Sequence, residues 1–166
     1  MLEYRIRAAT ADDVRFLTDV VVEATRAQGR LPANFDEPDW REKFGLWTIE
    51  QIRGEVPGCT TSVIEVGNER VGRLRITRTA GSIELPGIQL LPRIQRHGIG
   101  TAIIEDLQAE ATAAGIPVDL EVEKDNPDAR RLYERLGFVH VGETAQEYKL
   151  RWNPRTDAVA PPPTTM

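Results

Sequence analysis

The run Gln95-Arg96-His97-Gly98-Ile99-Gly100-Thr101 sets two glycines and two basic side chains where a strand pattern gives way to a helix pattern. Chemistry of that kind suits an anion. A helix start leaves backbone N–H groups without acceptors and carries the positive end of the helix dipole. Glycine lets that backbone come close to a diphosphate. The local charge agrees. Between Leu85 and Ile104 there is no Asp or Glu, whereas Arg93, Arg96 and His97 all fall inside the window. The glycines alone leave open a ligand-free turn into a helix. Two better-known phosphate loops fit poorly. A P-loop ends in Gly-Lys-Ser/Thr, and this run holds no lysine. A dinucleotide fingerprint needs a third glycine where Ile103 stands, inside an early strand–helix–strand unit that is missing here. His97 is assigned no proton-transfer role.

A second group lies downstream. Asn126, Ala129 and Tyr133 are spaced i, i+3 and i+7, which puts them on one face if the segment is helical. A small residue between two polar ones lets a ligand pass close to the helix. Tyr133 can equally pack its ring and bond through its hydroxyl.

The chain that must position these groups has 166 residues and a formal net charge of −5, with 40% hydrophobic and 28% charged residues. That suits one domain with a substantial core. The acidic balance argues against a nucleic-acid surface, which needs clustered Lys and Arg. The absence of a long apolar run argues against a membrane span. The first residues lack the apolar stretch of a signal peptide, so a cytoplasmic location is the expectation. Cys59 is the single cysteine. It excludes an internal disulfide and a multi-cysteine zinc site, reads as structural, and leaves no metal to expect.

Apolar periodicity supplies the elements. Tyr4–Ala8 reads as a strand. Thr10 caps a helix with Asp13 three positions on, and Val14, Leu17, Val21 and Ala24 form its apolar stripe. Leu31–Gly58 is harder, with short helical stretches expected around Trp40–Phe44 and Trp47–Ile52. Trp40 and Trp47 read as cover for the core, with a pocket-lining role as the alternative. Strands follow at Thr60–Val66, Arg70–Thr79 and Ser82–Leu91. Next come a helix over Gly98–Ala114, a strand over Pro117–Val122, and a helix capped by Asn126 with Pro127 at its first position. A hairpin of Phe138–Gly142 and Glu147–Trp152 closes the domain at residue 152. The tail from Asn153, with Pro161-Pro162-Pro163, reads as a mobile end. The fold class is α/β with one mixed sheet. Pro86-Gly87 interrupts the third of the consecutive strands, as at a bulge or splayed edge.

Gln95, Gly98 and Gly100 make a Gln-x-x-Gly-x-Gly run that resembles the coenzyme A-binding motif of the GNAT (Gcn5-related N-acetyltransferase) superfamily. Ile88-Gln89-Leu90-Leu91-Pro92 is similar to the strand before it, and Asn126 to Phe138 is similar to that superfamily's second signature. Element order matches from Tyr4 to Trp152, while Leu31–Gly58 matches no signature. The resemblance implies a GNAT-like fold with a splayed central sheet. It implies acetyl transfer from acetyl-CoA to a small-molecule primary amine by direct attack, without a metal. It assigns the diphosphate to Gln95, Arg96, His97, Gly98, Ile99, Gly100 and Thr101. The backbone of Ile88 and Leu90 would pair with the pantetheine arm as an added strand, and the Ile88 N–H would face the thioester oxygen. Asn126 and Tyr133 would flank the cofactor, with Tyr133 as the acid for the leaving thiolate. Glu84 stands at the offset of a general base in some members, and alternation places it on the face of Ile88 unless a bulge intervenes. Glu121, Glu123 and Asp125 could favour a cationic acceptor or be simply solvated. A non-catalytic acyl-CoA sensor and an enzyme acting on protein or tRNA amines remain as alternatives, and a homodimer stays open.

Overall fold

The computed structural model of the chain describes residues 2–155. The expected mobile tail beyond Arg155 lies outside the described residues. Strand β1 (Arg5–Ala8) leads through a single 3-10 turn into helix α1 (Val14–Ala27), followed by α2 (Glu37–Ile52). Strands β2 (Cys59–Val66), β3 (Glu69–Arg78) and β4 (Ile83–Leu90) come next. Helix α3 (Ile99–Ala114), strand β5 (Val118–Glu123), helix α4 (Pro127–Arg135) and strands β6 (Val139–Glu143) and β7 (Glu147–Trp152) complete the described chain. All seven strands join one sheet in the order β1-β2-β3-β4-β5-β7-β6. Only β4 and β5 run parallel. The mixed α/β sheet read from the sequence is therefore the observed architecture.

Local chemistry explains the entry into α1. The Thr10 N–H donates to the Asp13 carboxylate at 2.8 Å, and Arg7 donates two further bonds at 2.8 and 2.9 Å. The Arg7 guanidinium holds this buried carboxyl well below the usual carboxylate range. The expected apolar stripe of α1 is corrected in part. Leu17 and Ala24 are buried, but Val20 and Val22 replace Val14 and Val21. The helix is buried against both the sheet and α2, so its covered arc is wider than one stripe.

The two short helices expected after Leu31 are one helix, α2. Asp36 caps it, its Oδ1 accepting from the Asp39 N–H at 3.1 Å. Pro38 sits in the first turn, where its missing N–H costs nothing. Gly45 lies inside the helix where it approaches α1. A Cβ there would stand 3.7 Å from Val14 Cγ1. Trp40 and Trp47 are not core residues. Phe35, Trp40, Phe44 and Trp47 form a partly exposed stack along α2, with successive ring centroids 5.9, 4.7 and 5.6 Å apart.

The main core lies between the sheet and the α3–α4 side. Ile64, Leu74, Ile83, Ile103, Leu107 and Leu120 meet there. On the other face α1 and α2 cover β2, β3 and β4. The same face of β5, β7 and β6 presents Asp119, Glu121, Lys149 and Arg151 beside exposed Val139 and Val141.

Register changes in the middle of this sheet. Thr77 stands opposite Glu84, but Arg75 stands opposite Gly87, so Leu85 and Pro86 together face Ile76. This is a β-bulge on β4. On its other side β4 pairs with β5 only at Ile83–Val118 and Glu84–Asp119. Beyond those two positions the strands separate.

Candidate active site

The split leaves a bare strand edge. The Leu91 N–H donates to the Val71 carbonyl at 2.8 Å. Alternation along an antiparallel ladder then gives the amides of Gly87 and Gln89 to β3 and turns those of Ile88 and Leu90 outward, into the gap. The outward Leu90 carbonyl accepts from Gln95 Nε2 at 3.0 Å, which ties the strand end to the following loop. The Ile88 and Leu90 side chains pack on the core beneath α3 and α4.

The loop after β4 leads these outward amides to a helix start. Arg96 and Gly98 both adopt left-handed backbone, with φ of 66° and 83°. That conformation disfavours any side chain with a Cβ, so Arg96 is held there under strain. Gly98 is the N-cap of α3 and offers no side-chain acceptor. The amides from Arg96 to Thr101 accordingly find no acceptor among the described residues. A Cβ on Gly100 would meet nothing within 4 Å, so the space before the helix is open. Arg96 and His97 are exposed, whereas Arg93 is tied to Glu69 at 2.9 Å. These features fit a diphosphate, because free amides and a helix N-terminus converge on open space.

Helix α4 borders the same face. Asn126 caps it, its Oδ1 accepting from the Ala129 N–H at 3.3 Å. Ala129 and Tyr133 pack against the core cluster that also receives Ile88 and Leu90. The Tyr133 ring meets the Phe138 ring edge-on, with centroids 5.8 Å apart. Its hydroxyl has no hydrogen-bond partner among the described residues. Burial pushes the phenol up to about 12, so it stays protonated at neutral pH.

Glu84 is placed differently from the expectation. The bulge shifts alternation by one residue, so the Glu84 side chain lies on the face opposite that of Ile88. Glu84 is exposed and lines a cleft of about 590 Å³ in the split, together with Pro86, Asp119, Glu121, Lys149 and Arg151. The Ile88 N–H lies near the sheet plane and points into the gap between the two faces. Asp119 is held by Arg151 through bonds of 2.7 and 3.0 Å. A hydrogen bond that the protonated Glu147 carboxyl donates to Glu121, together with burial and the nearby carboxylates, raises Glu147 above its ordinary range. Of the three acids singled out on β5 and just after it, Glu123 and Asp125 are taken up by Arg30, leaving Glu121 to face the cleft. The sequence reading missed Glu147, Lys149 and Arg151. Their alternate positions in β7 were the available signal. Cys59 is buried, and its Sγ accepts from Arg75 Nε at 3.2 Å. Among the described residues no three His, Cys, Asp or Glu side chains are grouped to hold a metal, and no helix is long and apolar enough to cross a membrane.

A strand edge opened by a bulge, running into an uncapped glycine-rich helix start, is the layout of a coenzyme A-dependent acyltransferase. The sequence profile of the Acetyltransferase (GNAT) family matches residues 19–138, and the chain belongs to that family. It is 32% identical over 148 residues to an N-alpha-acetyltransferase of Sulfurisphaera tokodaii, covering 84% of this chain and 82% of the relative. It also resembles the PaiA N-acetyltransferase of Thermoplasma acidophilum, solved in complex with coenzyme A. The TM-score is 0.77 at 17% identity, over 92% of this chain and 99% of that one. The spermidine N-acetyltransferase of Vibrio cholerae, solved with CoA and spermine, shares the fold at a TM-score of 0.66 and 18% identity, over 91% and 95% of the two chains. The general activity is thus acetyl-CoA-dependent N-acetyl transfer.

Gly100→Asp tests the anion loop. The open space admits the side chain, and a carboxylate in the first turn favours the helix dipole by roughly 0.3–1 kcal/mol. Thermal stability should hold or rise while CoA affinity by calorimetry drops about tenfold or more, by repulsion of the diphosphate. Unchanged affinity would remove the loop from the binding site.

Proposed function

We propose that the chain transfers the acetyl group of acetyl-CoA to the primary amine of a small-molecule acceptor, by direct attack within a ternary complex. One observation carries this reading: the outward Ile88 amide lies in a split that opens to the anion loop on one face and to the Glu84 cleft on the other. Donor and acceptor can then meet without crossing the same surface.

The loop amides from Arg96 to Thr101 take the diphosphate, and the Ile88 and Leu90 edge takes the pantetheine amides. An alkylamine is mostly protonated at neutral pH, so attack needs a base. Glu84 accepts that proton, directly or through one water. As the C–N bond forms, the Ile88 N–H donates to the acyl oxygen, which gains charge. The C–S bond then breaks, and the second proton that the attacking nitrogen sheds to become an amide passes to water or to the departing thiolate. Tyr133 donates to the departing sulfur. Full transfer from a phenol near 12 to a thiolate of pKa about 8.5 runs uphill. Its contribution is therefore a hydrogen bond that strengthens as the sulfur becomes anionic.

The name of the Sulfurisphaera relative favours a second reading, in which the acceptor is the α-amine of a polypeptide. A screen of small amines, amino acids, aminoglycosides and peptides, following thiol release from acetyl-CoA, separates the two. Turnover confined to peptides would replace the first reading with the second.

Tyr133→Phe removes only the hydroxyl and should leave CoA affinity intact while single-turnover transfer slows by about 10²-fold or more. An unaltered single-turnover rate would make the residue structural. Glu84→Gln should lower kcat/KM most near neutral pH and recover in part at high pH, where free amine is abundant. A pH–rate profile of unaltered height and shape would exclude Glu84 as the base.

A further inference from the structure

Most arginines of this acidic chain that are withdrawn from solvent have carboxylate partners. Arg7, Arg30 and Arg41 are examples. Two neighbours on β3 depart from that pattern. Arg73 is 4% exposed and Arg75 is partly buried, and neither meets a carboxylate among the described residues. They are alternate residues of one strand, so their side chains share a face, and Arg75 lowers the pKa of Arg73 by repulsion, beneath the larger effect of burial.

Both guanidiniums are fixed in place. Arg73 Nη1 donates to Gln89 Oε1 at 2.9 Å and lies 2.4 Å from where a Cβ on Gly87 would stand, which accounts for glycine there. Arg73 Nε is buried with no partner. Arg75 lies 4.5 Å from the centroid of the Trp47 ring and spends its Nε on Cys59, leaving both terminal nitrogens without a protein acceptor among the described residues. Two adjacent cations, one desolvated, cost folding energy unless something compensates them.

Phe44 and Trp47 offset part of that cost by cation–π contact, and an anion that offset the rest would not be the CoA diphosphate. The two arginines share their face with Gly87, Gln89 and Glu84, opposite the side on which Ile88, Leu90 and Tyr133 pack. That is the acceptor side. Arg75 leans to Cys59, which stands across from Thr77, and Glu84 stands across from Thr77 on the other strand. The two groups are thus separated by two strand spacings, about 9.5 Å of backbone. Arg75 reaches towards β2 and Glu84 lines the cleft on the β5 side, so an acceptor that engages both is a small molecule bearing an ammonium at one end and an anion at the other.

We infer that the acceptor carries an anionic group, a carboxylate in the first instance, which docks on Arg75 with Arg73 behind it while the amine is presented to Glu84. This inference rests on the proposed acetyl transfer and narrows its acceptor class to zwitterionic amines, with Trp47 as the platform that orients the guanidinium.

Matched pairs of acceptors test it: the free α-amino acids against their α-carboxamides, and ethanolamine phosphate against ethanolamine, each with acetyl-CoA and thiol release as readout. The carboxylate members should exceed their carboxamides by about 10–100-fold in kcat/KM, the value of a charge-assisted bond. In Arg75→Gln that ratio should fall towards one, and Arg75→Lys should restore it in part, while thermal stability and CoA affinity report folding separately. Preference for ethanolamine phosphate over the amino acids would assign the anion as a phosphate and overturn the carboxylate. Turnover confined to neutral amines, to diamines such as spermidine, or to carboxamides overturns the inference and leaves the acetyl-transfer reading standing. A preference that survives Arg75→Gln overturns it as well. Absence of turnover with every amine sinks both.

Discussion

Hydrogen bonding between β4 and β5 ends at Glu84, and most of the candidate site follows from that interruption. Leu85 and Pro86 crowd opposite Ile76, and Pro86 has no N–H to offer a neighbouring strand. The parallel pair therefore cannot continue. A sheet interior normally leaves no peptide group unpaired, so the outward amides of Ile88 and Leu90 need a partner from outside the chain. An extended ligand with amides of its own can satisfy them, as an added strand does. The same bulge resets alternation and turns Glu84 away from Ile88, onto the face opposite the anion loop.

Charge is sorted across the sheet to match. On the α3–α4 face stand free backbone amides and one neutral phenol, with exposed Arg96 and His97 nearby. On the other face unpaired arginines stand on β3, and carboxylates stand on β4, β5 and β7. Backbone amides suit a diphosphate because their positions are fixed by the fold and need no side-chain entropy. The opposite face uses side chains held by packing, with the Arg75 guanidinium 4.5 Å from the centroid of the Trp47 ring. Helix α2 is thus more than a cover for β2, since its aromatic stack also packs on Arg73 and Arg75.

The elements legible in the sequence were those with strong local signals. Asn126-Pro127 fixed the start of α4, and Gly115 adopts the left-handed turn that ends α3. The anion loop was legible because its chemistry resides in contiguous backbone. Glu84 and Ile88 show where local reading stops. Pro86-Gly87 signalled an irregularity, but only the pairing with Ile76 decides that an extra residue is accommodated there and that the faces swap. Helix α2 reads in the sequence as two short stretches, whereas the Asp36 cap and contact with α1 carry one helix through Gly45 although glycine weakens helix propensity. Arg73 and Arg75 carry no signal alone. Their lack of counterions is a property of the tertiary arrangement.

The account turns on whether the donor occupies the split as an added strand, and residue-resolved amide hydrogen exchange with and without saturating CoA reads this directly. Ile88 and Leu90 should exchange readily in the free protein and slow by about tenfold or more on binding, while Gly87 and Gln89, already bonded to β3, change little. If CoA binds with measurable affinity and the Ile88 and Leu90 amides exchange at the same rate as before, the ligand lies elsewhere and the split is not its slot.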